Sequence, residues 1–271
     1  MLSMVLKLYF LLLFFILSSS HACEVVMGYR TSERLPFIAE APNNEGLYYS
    51  LYSRALADIG CQLKVLRAPK KRILHMIKSG EIDFYPGLGF SDEREEYIHY
   101  IDSGLTSKSA IISHIDSKPV QSLSEMKGKT LLIAQGARPI DGEKYGIFMR
   151  AGYDLSLEQV IELISKKQVD FYFYNEDNIN YFLAKNPNAN IKVYSFNETP
   201  TPLNLGFSRK SRFALEEYNT EFDPLAEKSL VNREYILTTN NKAYQFQQAL
   251  IKLKIQGVTN KLVRQYFYHQ N

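Results

Sequence analysis

The residues best suited to bind a ligand in this chain lie in a glycine-rich segment that follows a short apolar run. The run Ile82–Tyr85 has the composition of a β-strand, and Gly87 and Gly89 help to end it. Ser91 has the residue type of a helix N-cap, and Arg94 falls in the first helical turn. Free N–H groups at such a turn attract anions, and a guanidinium can hold a carboxylate through two hydrogen bonds. The segment predicts a carboxylate-binding loop; a surface Arg94 paired with a neighbouring glutamate is the alternative.

Four more side chains are candidates for the same site. Tyr29 ends the first predicted strand, Tyr85 ends the strand before the glycines, and Phe37 lies in the loop after the first strand. Ligands of open α/β sheets bind beyond the carboxyl ends of the strands, which favours a cleft position for the tyrosines. Core packing is the alternative for all three aromatic residues. Arg72 either faces the cleft from the start of a helix or pairs with a surface acid such as Glu81.

The residue types that usually carry catalysis or bind metals form no recognisable motif. The sequence holds no H-E-x-x-H, no G-x-S-x-G and no cysteine cluster, and its five histidines have no paired spacing. Gly87 and Gly89 form a G-x-G without the third glycine of a nucleotide-binding loop. Glu176 and Asp177 form an acidic pair that is typical of a solvated helix start. We therefore expect no cofactor, no metal and no enzymatic activity.

The N-terminus has the pattern of a secretory signal peptide. Lys7 precedes the apolar run Leu8–Leu17, and Ser20 to Ala22 fit the small-x-small cleavage rule. We predict that residues 1–22 are removed and that the mature protein is periplasmic. A lipoprotein anchored at Cys23 is the weaker alternative, because Ser20 stands where a lipobox usually has leucine.

Composition and charge point to a soluble α/β protein. The 271 residues are enough for two domains, and the net charge of +3 gives no reason to expect a nucleic-acid partner. Strand and helix patterns alternate from Val25 to Tyr85, which predicts a parallel sheet, and a second α/β unit follows. Residues 212–241 do not fit this plan; we expect a helix from Ala214 to Asn219 within an irregular insertion.

The two cysteines open two neighbouring predicted strands. Cys23 precedes the first apolar run and Cys61 precedes the second. If the two strands are adjacent and parallel, both cysteines lie at the same end of the sheet. A disulfide is then geometrically reasonable in an oxidising compartment, and two buried free thiols are the alternative.

With these segments laid out, the chain resembles a type II periplasmic solute-binding protein of family 3, the family that binds polar amino acids for ABC importers. Arg72 together with Ser79-Gly80-Glu81-Ile82-Asp83 resembles the family's R-x-L-x-x-G-x-x-D segment. Ser91-Asp92-Glu93-Arg94 resembles its T-x-E-R motif, and Tyr100–Gly104 sits at its F-S-x-P-Y segment with a poor match. The resemblance spans the mature chain from about Glu24 to Tyr268.

The resemblance implies a two-lobed α/β fold with the ligand cleft between the lobes. Each lobe is expected to be a mostly parallel sheet flanked by helices. The discontinuous first lobe would comprise residues 23–110 and 200–271, and the second lobe residues 111–199. Two connecting strands, near Ser107 to His114 and near Phe196 to Leu203, would allow the lobes to close by hinge motion on a small ligand.

The resemblance also assigns individual residues. Arg94 matches the arginine that grips the ligand's α-carboxylate, and Gly89 falls where a threonine often helps it. Asn175 falls where family members commonly place an aspartate for the α-ammonium. Gly136 and Ala137 match the family's G-T loop in the second lobe, with alanine in place of threonine. Arg138, the next residue, is a further candidate.

The site implied in this way keeps its anion half and alters its ammonium half. An amino acid, a keto acid and another small carboxylate therefore all remain open as ligands. The implied partners are this small molecule and an ABC transporter permease, with a membrane sensor as the alternative, and the protein is expected to be a monomer. A dehydratase-like enzyme on the same fold is the rival interpretation.

Overall fold

The computed structural model describes residues 23–134, 140–152, 155–195 and 199–268. The predicted signal peptide and the site candidates Gly136, Ala137 and Arg138 lie outside the described residues. Within these ranges, no helix has the length and apolar character that crossing a membrane requires.

The described chain forms fourteen strands and seven α-helices. The strands are β1 Cys23–Arg30, β2 Cys61–Ala68, β3 Phe84–Leu88, β4 Ile98–Ile101, β5 Thr106–Ser107, β6 Ser109–His114, β7 Thr130–Ala134, β8 Phe148–Gly152, β9 Phe171–Asn175, β10 Ile191–Ser195, β11 Thr201–Pro202, β12 Asn204–Ser208, β13 Glu216–Tyr218 and β14 Tyr235–Leu237. The helices are α1 Leu47–Ala57, α2 Lys70–Ser79, α3 Asp92–Glu95, α4 Leu157–Ser165, α5 Glu176–Lys185, α6 Lys242–Ile255 and α7 Val258–Tyr268. Two short 3-10 turns span Leu123–Met126 and Glu143–Tyr145.

Two five-stranded sheets form the cores of two lobes. The first has the strand order β2-β1-β3-β12-β4, and the second has the order β10-β6-β9-β7-β8. In each sheet four strands point the same way and one opposes them, β12 in the first and β6 in the second. The opposing strand is the one that enters each sheet from the connection between the lobes. This is the predicted α/β class with two mostly parallel sheets flanked by helices.

The connection between the lobes is itself a small antiparallel pair. β5 pairs with β11, with Thr201 opposite Ser107 and Pro202 opposite Thr106. The hydroxyl of Thr201 donates to the carbonyl oxygen of Ser107 at 3.2 Å. Two chain crossings held together in this way give a hinge in which few backbone torsions need to change.

Helices cover both faces of the first sheet because each carries an apolar stripe. Buried Leu47 and Leu51 of α1 and Phe246 and Leu250 of α6 pack in one core cluster on one face. Ile73 and Ile77 of α2 pack in another cluster on the other face. α6 begins where the Asn241 side chain accepts a hydrogen bond from the N–H of Tyr244.

A capping box forms at α4 and not at Ser122, although Ser122 and Glu125 have the S-x-x-E spacing of that motif. Leu123–Met126 is a 3-10 turn, and Ser122 makes no side-chain cap. The capping box is formed at α4, where the Ser156 hydroxyl accepts from the N–H of Gln159 and the Gln159 side chain accepts from the N–H of Ser156. Glutamine at the third helical position serves this motif as well as glutamate does.

Cys23 and Cys61 form a disulfide between β1 and β2. The two residues are direct partners in the parallel register, and their Cα atoms are 4.4 Å apart. The sequence separation of 38 residues corresponds to a chain-entropy stabilisation of about 4 kcal/mol. The bridge joins the edge strand β2 to its neighbour at the end of the sheet opposite the cleft described below.

The helix predicted from Ala214 to Asn219 is wrong. β13 pairs with β14 in an antiparallel hairpin with Tyr218 opposite Tyr235. The Glu-rich sequence favours a helix locally. Pairing with β14 instead satisfies the backbone hydrogen bonds and brings the segment into a buried polar network. In that network, His99 of β4 contacts Glu216 at 2.8 Å and Arg233 at 3.0 Å. The insertion therefore covers β4, which is otherwise the edge of the first sheet.

Candidate ligand-binding cleft

A cleft of about 430 Å³ lies between the two lobes. Strand ends of both sheets form it, because β1 and β3 of the first lobe and β7 and β9 of the second all end there. Its described lining residues are Arg30, Arg34, Lys70, Gly87, Leu88, Gly89, Phe90, Ser91, Arg94, Ser109, Ala134, Phe173, Tyr174, Asn175, Thr201, Pro202, Leu203, Asn204 and Leu230. Convergence of strand carboxyl ends on one crevice is the usual ligand geometry of open α/β sheets.

Arg94 is held against the loop after β3. Its Nη1 donates to the carbonyl oxygen of Gly89 at 3.2 Å, and the Tyr100 hydroxyl donates to the same oxygen at 3.1 Å. Burial raises the pKa of Tyr100 to about 12, so its hydroxyl keeps its proton. α3 is a single four-residue turn, and Ser91 makes no side-chain cap. The anion-binding capacity of this loop therefore comes from Arg94 and not from a helix terminus.

Gly87 is required by its backbone and by its neighbour. Its φ is +71°, and a Cβ atom there would lie 2.5 Å from the Tyr48 hydroxyl oxygen. A Cβ atom on Gly89, two residues later, would meet nothing within 4 Å. The two glycines thus have different roles: Gly87 makes room for a buried tyrosine beneath the cleft, and Gly89 leaves space above it.

Arg34 joins the two lobes across the cleft. It lies in the loop after β1, and its guanidinium donates to Oδ1 of Asn175 at the end of β9. The same guanidinium lies over the Tyr174 ring, 5.3 Å from its centroid. One residue further along the loop, the carbonyl oxygen of Leu35 accepts a hydrogen bond from Nδ2 of Asn178 in α5. The structure therefore has its lobes in contact through this loop.

A short polar chain runs from Asn175 into the hinge. Nδ2 of Asn175 donates to the Ser107 hydroxyl at 3.1 Å, and that hydroxyl donates to Asp177 at 2.7 Å. Burial raises the pKa of the Asp177 carboxyl, although the Ser107 hydrogen bond opposes this. Asp177 is not among the lining residues of the cleft. Asp177 is thus turned toward Ser107 of the hinge pair.

The described cleft wall is strongly cationic. Four of its side chains are basic, Arg30, Arg34, Lys70 and Arg94, and none of the described lining residues is an aspartate or a glutamate. Arg30 is only 4% exposed at the end of β1. Basic side chains focused in a partly enclosed cleft attract anions and repel cations.

Two polar atoms on the cleft wall have no hydrogen-bond partner. They are Nε of Arg34, a donor, and Oδ1 of Asn204, an acceptor. Asn204 is 2% exposed at the start of β12. A buried polar group without a partner is costly, and these two atoms are unsatisfied in this state of the cleft.

The sequence-predicted site residues separate into two groups. Arg94, Gly87, Gly89 and Asn175 line the cleft. Tyr29, Tyr85 and Phe37 are buried in core clusters and do not line it, and Arg72 is exposed on α2 outside it. The ring of Tyr29 packs beneath the Arg67 guanidinium instead, 5.2 Å from its centroid.

Sequence reasoning missed Arg30, Lys70, Arg34 and Asn204. A signal existed for Arg30, because successive strand residues point to opposite faces and it follows Tyr29 at the same strand end. Lys70 likewise begins the helix that follows β2, at the same edge of the sheet. Arg34 had no local signal, since its partner Asn175 is 141 residues away.

Solved structures with this fold include several amino-acid-binding proteins. An ancestral arginine-binding protein bound to arginine superposes with a TM-score of 0.68 at 16% identity, covering 90% of this chain and 98% of that chain. The arginine-, lysine-, histidine-binding protein ArtJ from Geobacillus stearothermophilus gives 0.66 at 16% identity, covering 90% and 95%. A ligand-binding core from Nostoc punctiforme in complex with L-glutamate gives 0.67 at 14% identity, covering 90% and 99%.

These likenesses show that the chain has the two-lobed fold of such binding proteins over most of its length. No protein-family model and no curated protein matches the sequence.

Proposed function

We propose that this chain is an extracytoplasmic solute-binding protein that closes by hinge motion on a small polar ligand, an amino acid or a related carboxylate. The observation that carries the proposal is the cationic cleft between two hinged lobes, with Arg94 held at its loop by the Gly89 carbonyl. A guanidinium in such a position binds a carboxylate with two parallel hydrogen bonds. The fold shared with amino-acid-binding proteins supports the same role.

Binding without chemistry suits the composition of the cleft. Its described lining residues include no aspartate, glutamate, histidine or cysteine, so its hydroxyl groups have no carboxylate or imidazole base beside them on the described wall. Among the described residues no group of three or more histidine, cysteine or acidic side chains is placed to hold a metal ion. Ligand binding by lobe closure needs only charged and hydrogen-bonding side chains, and the described cleft wall supplies these.

The remaining parts of the proposal concern the cellular setting. A monomer in the periplasm, released from its signal peptide, would close on the ligand and present the closed lobes to an ABC importer. The closed state reports an occupied site because the ligand bonds groups of both lobes only when they meet. Recovery of permease subunits with the protein from crosslinked membranes would support the importer; recovery of a receptor would favour a sensory role.

A thermal-shift screen tests the binding role. The purified protein is heated with individual amino acids, keto acids and small carboxylates, alongside Arg94→Ala and the control Arg54→Ala, which removes an exposed arginine of α1. A ligand at 100 times its Kd should stabilise by about 2.7 kcal/mol, and this gain should vanish in Arg94→Ala alone. Equal stabilisation of all three proteins would remove Arg94 from the site, and consumption of a compound would establish an enzyme.

A further inference from the structure

We infer that the cleft selects a small dicarboxylate that carries no amino group. This inference rests on the proposed function and narrows its ligand class. It follows from the hydrogen-bond donors on the described cleft wall that could bind a ligand carboxylate and from the acceptors there that could bind a ligand ammonium.

Two of the guanidinium groups on the described cleft wall come from different segments of the first lobe. Arg94 is placed by the loop after β3 in the first lobe. Arg34 reaches the second lobe, where it contacts Tyr174 and Asn175, and its Nε has no partner. In the inferred complex, each of these two guanidinium groups holds one end of the ligand. Two carboxylates on one short carbon chain match this arrangement, because each guanidinium can take one of them.

Among the described lining residues, an ammonium group finds no equivalent charged partner. None of the described lining residues carries a negative charge. Oδ1 of Asn175 already accepts from Arg34, and the Gly89 carbonyl already accepts from Arg94 and Tyr100. A carbonyl oxygen has two lone pairs, so the Gly89 oxygen has no capacity left. Asp177 accepts from the Ser107 hydroxyl and Glu176 accepts from the Ser195 hydroxyl, and neither acid is among the described lining residues of the cleft.

The described cleft wall also holds an uncharged amide acceptor, on Asn204. Oδ1 of Asn204 is buried on the cleft wall without a donor. A neutral amide oxygen accepts a hydrogen bond from a hydroxyl group without needing to balance a charge. A ligand ammonium at the same place would stand among the four basic side chains, which oppose it.

Matched ligand pairs separate an amino group from everything else. The purified protein is unfolded in guanidinium with its disulfide intact, washed free of bound solutes and refolded. Calorimetric titration then compares malate with aspartate and 2-oxoglutarate with glutamate, and lactate serves as the monocarboxylate. We expect malate to bind at least about tenfold more tightly than aspartate, and 2-oxoglutarate at least about tenfold more tightly than glutamate. Both should also exceed lactate by about tenfold, a difference of about 1.4 kcal/mol.

The variant Asn175→Asp tests whether the lack of a negative charge on the described wall excludes an amino group. Asn175→Asp places a carboxylate where the described wall has none, and it should move the malate-to-aspartate affinity ratio toward aspartate by about tenfold or more. The control Arg54→Ala should leave that ratio unchanged. A change in ratio is independent of any general loss of stability in the variant.

The outcomes distinguish the inference from the proposed function. If aspartate, glutamate or lactate binds as tightly as malate and 2-oxoglutarate, the inference fails and the proposed solute-binding function stands. The same holds if Asn175→Asp leaves the ratio unchanged. If none of these compounds and none of those in the thermal-shift screen binds, the proposed function itself fails.

Discussion

The guanidinium of Arg34 in the first lobe donates a hydrogen bond to Oδ1 of Asn175 in the second lobe. Nδ2 of the same Asn175 donates to Ser107 in the hinge pair. One amide therefore connects the loop after β1, the end of β9 and the strand pair between the lobes. Any change in the separation of the lobes must break or reform the Arg34 bond, so this pair reports on closure.

Removal of Arg34 should favour the open state. A hydrogen bond to a charged group contributes about 1.5–3 kcal/mol, so Arg34→Ala should weaken ligand binding by about 10- to 100-fold. Arg34→Lys should restore little, because an ammonium lacks the planar fork that lies over Tyr174. The radius of gyration from small-angle X-ray scattering should rise in Arg34→Ala and stay constant in Arg54→Ala. An unchanged radius and affinity would show that the contact does not hold the lobes.

The two cleft glycines should respond differently to alanine. Gly87→Ala forces a positive φ on a residue with a side chain and meets the Tyr48 hydroxyl, which should cost about 1–3 kcal/mol in the free energy of unfolding. Gly89→Ala meets open space and should change it by less than about 0.5 kcal/mol. Urea unfolding of both variants measures the difference; equal losses would contradict the distinct roles given to the two positions.

His99 should make stability fall under mild acid. Burial lowers the pKa of His99 from 6.5, opposed by its hydrogen bond to Glu216, and Arg233 lowers it further. Because Arg233 donates to Nε2, the ring is neutral and its Nδ1–H donates to Glu216. A lowered folded-state pKa means that the unfolded state binds the proton better. The stabilisation is complete above pH 6.5 and is lost as the pH falls through the folded-state pKa.

Urea unfolding between pH 8 and pH 5 measures this slope. The wild type should lose stability toward pH 5, and His99→Gln should show a smaller dependence on pH. The exposed His75 gives the control, since His75→Gln should keep the wild-type slope. A His99 ring whose NMR signals titrate above pH 6.5 would contradict the assignment.

Glu33 should act in the opposite direction at the contact between the lobes. Burial raises the pKa of the Glu33 carboxyl, Glu158 and Glu40 raise it further, and Lys185 lowers it. Glu33 and Glu158 belong to different lobes and share a small cavity that Arg34 also lines. A raised folded-state pKa gives stability that is present below the unfolded value of 4.5 and lost as the pH rises through the folded-state pKa.

Glu33→Gln should therefore stabilise the protein at pH 7, because the amide mimics the protonated carboxyl. The gain in melting temperature should disappear below pH 4.5, where the wild-type carboxyl is protonated as well. Glu143→Gln, at an exposed carboxylate of a 3-10 turn, should show no such gain at either pH. A Glu33→Gln variant that is less stable than the wild type at pH 7 would refute the argument.

Local patterns in the sequence were enough to predict the regular elements. The helices Leu157–Ser165 and Lys242–Ile255 and the strand Thr130–Ala134 coincide with apolar patterns that are visible in the sequence. Each has its own apolar stripe or run, which is a property of neighbouring residues. Tertiary pairing decided Glu216–Tyr218, where a partner strand overrode the helical preference.

The candidate site shows the same division between local and long-range determinants. The sequence by itself placed Arg94 and Gly89 beyond a strand end, because the apolar strand and the glycine and serine after it are local signals. Gly87, predicted to help end that strand, instead lies within β3, which continues to Leu88. Only the tertiary structure decided that Tyr29 faces the core while Arg30 lines the cleft, and that Arg34 meets Asn175. Residues far apart in the chain become neighbours only when two lobes pack against each other, and no spacing along one chain encodes that distance.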